Sequence, residues 1–166
     1  MHYCQGMNFL TGFLYDLTQN EDETFYLLLG LFLMTLYNQI FQKEMIKLKF
    51  YFYVIDKLVY LYLPQLYHYL KFNKITMNLF VPPYFLTLFT NVYSFVNEKT
   101  KNEYNLFLIN IFDGFLLEGY TIIFKSILVL LKYHEKDILN LQSDELVEFL
   151  INKMQRSDLF TNEKYS

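Results

Sequence analysis

With 166 residues, 54% of them hydrophobic and 20% aromatic, the chain is long enough for one domain with a buried core, and its 19% charged residues leave much apolar surface in need of partners. A formal net charge of -3 and a single arginine, Arg156, exclude a broad basic footprint for nucleic acid; a single cysteine, Cys4, excludes an internal disulfide or a thiolate metal cage and fits a reducing, cytoplasmic setting. The most apolar window, Phe25 to Leu36, stops at Asn38 and Gln39, well short of the about twenty residues of a membrane-spanning helix, and no basic segment of a signal peptide opens the chain.

Glycine and proline are sparse, and apolar residues recur at three- and four-residue spacings over stretches too long for strands, so the expected fold class is all-α. The spacing predicts a first helix over Met7 to Leu17, closed by the polar turn Thr18 to Asp22. Glu21, Asp22 and Glu23 then suit the positive N-terminal end of a second helix running to about Phe41, packed antiparallel on the first. A third helix spans about Lys43 to Tyr62, and Pro64 stands in the first turn of a fourth, Leu63 to Phe72, where a missing N–H is tolerated.

Phe72 to Met77 reads as a polar turn, after which Pro82 and Pro83 predict an extended approach into a short helix over Tyr84 to Thr90. A Lys-rich loop at Asn97 to Asn102 precedes an apolar helix from Tyr104 to about Leu117, ended by Glu118 and Gly119. Another helix covers Tyr120 to Tyr133, a turn follows at His134 to Asp137, and Ser143 to Met154 forms a last amphipathic helix. No repeat and no Ser/Gly linker divides the chain, so one unit is expected over residues 1–158, with residues 159–166 a frayed tail.

The opening Tyr3-Cys4-Gln5-Gly6-Met7-Asn8 resembles the Tyr-x-Gln-Gly-Met-Asn signature of the TBC domains of Rab GTPase-activating proteins. Two further blocks in the same order, Leu79-Phe80-Val81-Pro82-Pro83-Tyr84-Phe85-Leu86-Thr87-Leu88-Phe89 and Ile111-Phe112-Asp113 followed by Glu118-Gly119, extend the resemblance over residues 2–133. Tyr84 and Phe112 stand where the family commonly has tryptophan, each keeping a ring, and the double proline is a further departure. The family's other signature, Ile-x-x-Asp-x-x-Arg, is not in this chain and would lie before Met1.

The resemblance implies an irregular multi-helix array, the later part of a TBC domain. It implies that Gln5 is a catalytic finger acting in trans on a Rab-type small GTPase in its GTP form, with GTP and magnesium bound by that partner and no cofactor or metal held here. A glutamine amide suits the role, since its carbonyl accepts from the attacking water while its NH2 donates to a phosphate oxygen. The arginine finger that would neutralise developing charge is expected outside this chain, so the isolated chain is expected to be nearly inactive. Tyr3 is expected as a supporting wall, Gly6 lets backbone approach the partner, and Asn8 is suited to bond neighbouring backbone at the helix start. Asp113 is expected as a buried capping or pairing group.

Without the three blocks, Gln5 would read as an exposed polar residue near a helix start. Cys4 has no positioned base, His2, His68 and His134 lack metal-ligand spacing, and the acids at 21 to 23 read as a solvated first turn. The tyrosines at 51, 53, 60, 62, 67 and 69 read as packing groups rather than base-stacking ones. The rival functions are a catalytically inactive TBC-like module or scaffold that holds a GTPase or partner helix, and a helical repeat offering apolar grooves, for which no period is present. Localisation is expected to be cytoplasmic, peripheral on endomembranes through the GTPase, with a role in vesicle trafficking, and unpartnered apolar faces are expected to favour self-association.

Overall fold

The computed structural model describes residues 6–92 and 106–160. Among these residues every regular element is helical and none is a strand, as the apolar spacing requires. α1 (Met7–Thr18) and α2 (Glu21–Met34) pack as a pair across a two-residue turn. Asn20 caps α2 by accepting from the Glu23 N–H at 3.1 Å, and the three acids of the first turn stand in solvent beside the positive helix end.

The second helix does not run to Phe41. It stops at Thr35, which is extended (φ -114, ψ 173); the Thr35 hydroxyl donates back to the Leu31 carbonyl and accepts from the Tyr37 N–H, and residues Leu36–Phe41 continue as a 3-10 helix. The break carries Tyr37 into the core, fully buried, where its hydroxyl donates to the Leu86 carbonyl. The next helix, α3 (Ile46–Tyr62), starts later than Lys43, because Glu44 (φ 64) and Met45 (φ 51) occupy the left-handed region.

α4 (Pro64–Phe72) has its proline in the first turn as expected. α5 (Pro82–Thr87) likewise begins on its two prolines, but the approach is not extended: Val81 is helical (φ -85, ψ -25), and its N–H donates to the Met77 carbonyl at 3.0 Å while its own carbonyl accepts from Tyr84 at 3.1 Å. Two main-chain bonds and complete burial of the Val81 side chain offset the usual pre-proline preference. α5 ends before Thr90 because Leu88 (φ 51) and Phe89 (φ 67) turn left-handed, leaving Thr90–Val92 as a 3-10 turn.

The expected loop at 97 to 102 lies outside the described residues. α6 (Leu106–Glu118) ends at Gly119, whose φ of 61 reverses the chain into α7 (Tyr120–Tyr133). His134 to Asp137 is not a turn; Glu135–Asn140 forms a short helix, α8, with Glu135 and Asp137 at its positive end. The last segment is also interrupted: α9 (Ser143–Glu148) widens to i+5 bonding over Phe149–Lys153 and tightens to a 3-10 turn at Met154–Arg156. A regular helix drifts off a four-residue spacing, and the wider turn lets Leu146, Leu150 and Met154 all be fully buried. Residues 159 and 160 are not frayed, since Phe160 is buried with its ring 5.0 Å from that of Phe107.

The high aromatic content has its explanation in the centre. Tyr51 of α3, Phe85 of α5, Phe115 of α6 and Tyr120 and Phe124 of α7 form one ring cluster, with Tyr51 and Tyr120 at 4.5 Å, Phe115 and Tyr120 at 5.1 Å, and Phe85 and Phe124 at 5.2 Å between centroids. Each such pair contributes about 0.5–1.5 kcal/mol beyond burial. Of the tyrosine series, Tyr51 is core, Tyr67 and Tyr69 are half-buried, and Tyr53, Tyr60 and Tyr62 are exposed. α2 keeps only Thr24, Leu31 and Phe32 buried and leaves Phe25, Tyr26, Leu33 and Met34 exposed. No described helix is long and apolar enough to cross a membrane.

Candidate functional site

Gln5 and Tyr3 lie outside the described residues, as do Cys4 and His2, so the site is built from the residue that follows Gln5 in the chain. Gly6 is buried, has φ 105 and ψ -19, and is the N-cap of α1. Only glycine adopts that φ without strain. Its carbonyl accepts from the Phe9 N–H at 3.1 Å, closing a tight turn that leads into α1.

Gly6 is wedged from the α5 side. A Cβ placed on it would come within 2.9 Å of the Thr87 Cγ2 methyl. Close approach of backbone therefore occurs here, against a side chain of this protein itself. Behind Thr87 is a buried polar cluster: its Oγ1 lies 2.8 Å from the Pro83 carbonyl and 2.9 Å from the Asn91 amide, and it accepts from the Asn91 N–H at 3.2 Å. The Thr90 hydroxyl donates to the Thr87 carbonyl at 2.7 Å. Sequence reasoning assigned no role to Thr87 or Asn91; the signal available was two polar residues inside an otherwise apolar stretch, and the left-handed pair Leu88 and Phe89 lies between them.

Asn8 is exposed in the first turn of α1, and its side chain bonds no described backbone, so it does not cap the helix start. α1 has no side-chain cap and no acid in its first turn. Its N-terminal end carries about half a positive charge, a field that favours an anion near the helix start. Met7 is half-buried against the core, as a packing residue.

The ring positions of the other two blocks are structural. Tyr84 is fully buried, 4.7 Å from Phe89, and burial pushes its phenol above the ordinary range; its hydroxyl has no hydrogen-bond partner among the described residues. Phe112 is half-buried, 6.0 Å from Phe13. Asp113 is exposed on α6, not a buried capping or pairing group, because α6 turns Ile111 and Phe115 inward and carries position 113 to solvent.

Of the two described histidines, one faces solvent and one is buried. His68 is exposed beside Tyr60 and Tyr67. His134 is buried, with Nε2 2.7 Å from the Ser157 hydroxyl and Nδ1 3.5 Å from Asp137; burial lowers its pKa, opposed by the hydrogen bond and charge of Asp137 and the charge of Asp158. Among the described residues no group of His, Cys, Asp and Glu is arranged to hold a metal. An apolar groove of about 510 Å³ runs between Tyr62, Leu128, Val129 and Leu159, and none of its lining residues belongs to α1 or α5.

Arg156 is exposed in the 154–156 turn, which packs on the 90–92 turn that in turn packs on α1. The fold therefore brings the arginine's element to the same side of the molecule as the Asn91 cluster.

Comparison with known proteins matches the Rab-GTPase-TBC domain over residues 1–139. The chain is 32% identical over 162 residues to TBC1 domain family member 4 of Mus musculus, covering 97% of this chain and 11% of that protein. It is 30% identical over 161 residues to the GTPase-activating protein GYP5 of Saccharomyces cerevisiae, 97% of this chain and 17% of that protein. Against growth hormone-regulated TBC protein 1 of Rattus norvegicus the identity is 32% over 141 residues, 85% of this chain and 45% of that protein. The chain thus spans between about a tenth and a half of the length of these relatives. Its helical array, its three sequence blocks and a match over most of its length together show that the chain belongs to the Rab-GTPase-TBC domain family.

Proposed function

We propose that this chain is the glutamine-bearing part of a GTPase activator, and that Gln5 positions the hydrolytic water on a Rab-type GTPase in its GTP form. The observation that carries the reading is the Tyr3 to Asn8 block, whose last two residues open α1 and whose Gly6 stands in a turn wedged by Thr87. A wedged turn supports precise presentation of the residue before it, and the positive end of α1 favours the anionic phosphates that would face it. One relative is named a GTPase-activating protein, which supports the same activity here.

The nucleotide and its magnesium ion belong to the GTPase. In this reading the Gln5 carbonyl accepts from the water, its NH2 donates to a γ-phosphate oxygen, and the water attacks phosphorus in line while GDP leaves. Tyr3 supports the Gln5 side chain. Charge neutralisation requires an arginine, worth about 10³–10⁵ in rate, and the only one in this chain is Arg156. We assign that role to the remainder of a longer polypeptide, so the 166-residue chain alone accelerates hydrolysis little; full stimulation by it would overturn this assignment.

The test is Gln5→Ala in the longest natural polypeptide that contains this chain, measured by single-turnover GTP hydrolysis against GTP-loaded Rab-type GTPases. A loss of about 10² or more in stimulated rate with GTPase binding retained supports the finger. Unchanged stimulation removes it and leaves a binding module. Membrane contact is proposed to come through the GTPase, and the exposed apolar residues of α2 support self-association, which light scattering across a concentration series reads directly.

A further inference from the structure

We propose that Thr87, locked by Asn91, is the positioning residue for Gln5: its methyl group abuts Gly6 and fixes the backbone conformation of the residue that follows Gln5 in the chain. The inference rests on the reading of Gln5 as the water-positioning group. It starts from a contact between two residues far apart in the chain, with the Thr87 Cγ2 methyl so close to Gly6 that no Cβ fits between them.

A wedge works only if it cannot rotate. Thr87 is β-branched and therefore stiff at χ1, but a threonine in a helix divides between two rotamers, according to whether its hydroxyl bonds the carbonyl four residues back. Here that bond is made, to Pro83 at 2.8 Å. The hydroxyl also lies 2.9 Å from the Asn91 amide and accepts from the Asn91 N–H at 3.2 Å. One hydroxyl hydrogen cannot serve both Pro83 and an amide oxygen; with the Asn91 amide turned by a half rotation, Nδ2 donates to Oγ1 and the hydrogen goes to Pro83. The hydroxyl then donates once and accepts twice, its full capacity, Asn91 Nδ2 gains a partner, and the buried place without a described partner passes to Asn91 Oδ1. Thr87 and Asn91 are both buried, so no water substitutes for these bonds, and the methyl is left pointing at Gly6.

Gly6 is joined to Gln5 by one peptide bond, and because glycine has many conformations open to it, its φ of 105 is fixed here by what packs against it. Removing the methyl frees Gly6 to change its φ and ψ, and a change in those torsions turns the chain before it relative to α1. A displacement of about 1 Å at a reacting group costs about 10² in rate. The effect would fall on kcat, because Gln5 in this role acts in the transition state and contributes little to holding the GTPase.

The experiment compares two substitutions in the longest natural polypeptide containing this chain. Thr87→Ser keeps the hydroxyl and removes the methyl; Thr87→Val keeps a methyl and removes the hydroxyl. Each is read by stimulated GTP hydrolysis on GTP-loaded Rab-type GTPases, by thermal melting, and by hydrogen exchange of the Phe9 amide, whose acceptor is the Gly6 carbonyl. Thr87→Ser is expected to lower kcat about 10- to 100-fold with KM within about twofold, and to speed Phe9 exchange about tenfold or more while melting is nearly unchanged. Thr87→Val is expected to melt lower, yet to keep kcat and Phe9 exchange close to those of the parent.

Thr87→Ser with unchanged kcat and unchanged exchange overturns the proposal, as does a folded Thr87→Val that loses as much kcat as the serine variant. Lost kcat without faster Phe9 exchange also overturns it, since the effect would not pass through Gly6. Faster exchange in a protein whose parent stimulates no GTPase instead overturns the reading of Gln5 and leaves the wedge standing.

Discussion

Gly6→Ala separates a wedged turn from an ordinary helix start. The substitution adds a methyl to a residue at φ 105, outside the left-handed well that an L-residue visits, and a backbone held in such a region costs about 1–3 kcal/mol. The new Cβ also meets the Thr87 methyl at 2.9 Å, and Thr87 cannot turn away without giving up its bonds to Pro83 and Asn91. Overpacking of that kind costs about 1–3 kcal/mol, so the loss should be about 2–6 kcal/mol in all. For a chain of this size that lowers the melting temperature by about 4–24 °C.

The control is in the same helix. Gly12 has nothing within 4 Å of a built Cβ and lies inside α1, so Gly12→Ala should stabilise by about 0.8–1.0 kcal/mol through helix propensity alone. Urea denaturation of both variants, with melting as a second measure, gives the difference directly. Opposite signs are required. If Gly6→Ala stays within about 0.5 kcal/mol of the parent, the tight turn and its wedge are not features of the folded protein.

The buried phenols offer a second test, because Tyr84 and Tyr120 hydroxyls have no partner among the described residues: Tyr84→Phe should be neutral or stabilising by up to about 1–3 kcal/mol in urea denaturation, and a clear loss would reveal a missing partner. Phe160→Ala should cost about 3–5 kcal/mol, whereas a frayed end would lose almost nothing. For His134, burial holds the folded pKa below the usual 6.5, so the unfolded chain binds the proton more readily. Stability is therefore complete above about pH 6.5 and falls as pH drops from there to the folded pKa; a nuclear magnetic resonance titration placing His134 at or above 6.5 would refute this. Asp137→Asn removes the larger of the two carboxylate influences that oppose burial and should push the His134 transition lower still.

Helices were legible wherever local chemistry alone decides them. Pro64 at the start of α4, Gly119 between α6 and α7, and the acids at the start of α2 stand where sequence rules put them. The breaks at Thr35 and around Phe149 to Lys153 were not legible, since each sits in an unbroken apolar pattern that would equally support a continuous helix. What ends α2 is a threonine hydroxyl bonding two backbone groups while Tyr37 enters a core made by other elements. The candidate site was legible in part: the Tyr3 to Asn8 block is where the sequence puts the expectation, while Thr87, unassigned from sequence, is the residue against Gly6.

By itself the amino-acid order determined the helical class, the family and the stretch in which chemistry is expected, because spacing, sparse breakers and a short contiguous motif are properties of neighbours along the chain. Only tertiary structure decided that Asp113 faces solvent, that Phe160 is packed, and that a methyl from α5 presses on Gly6. Those outcomes depend on which faces meet when distant segments pack. Packing geometry is set by the whole set of buried side chains at once, so no local window contains it.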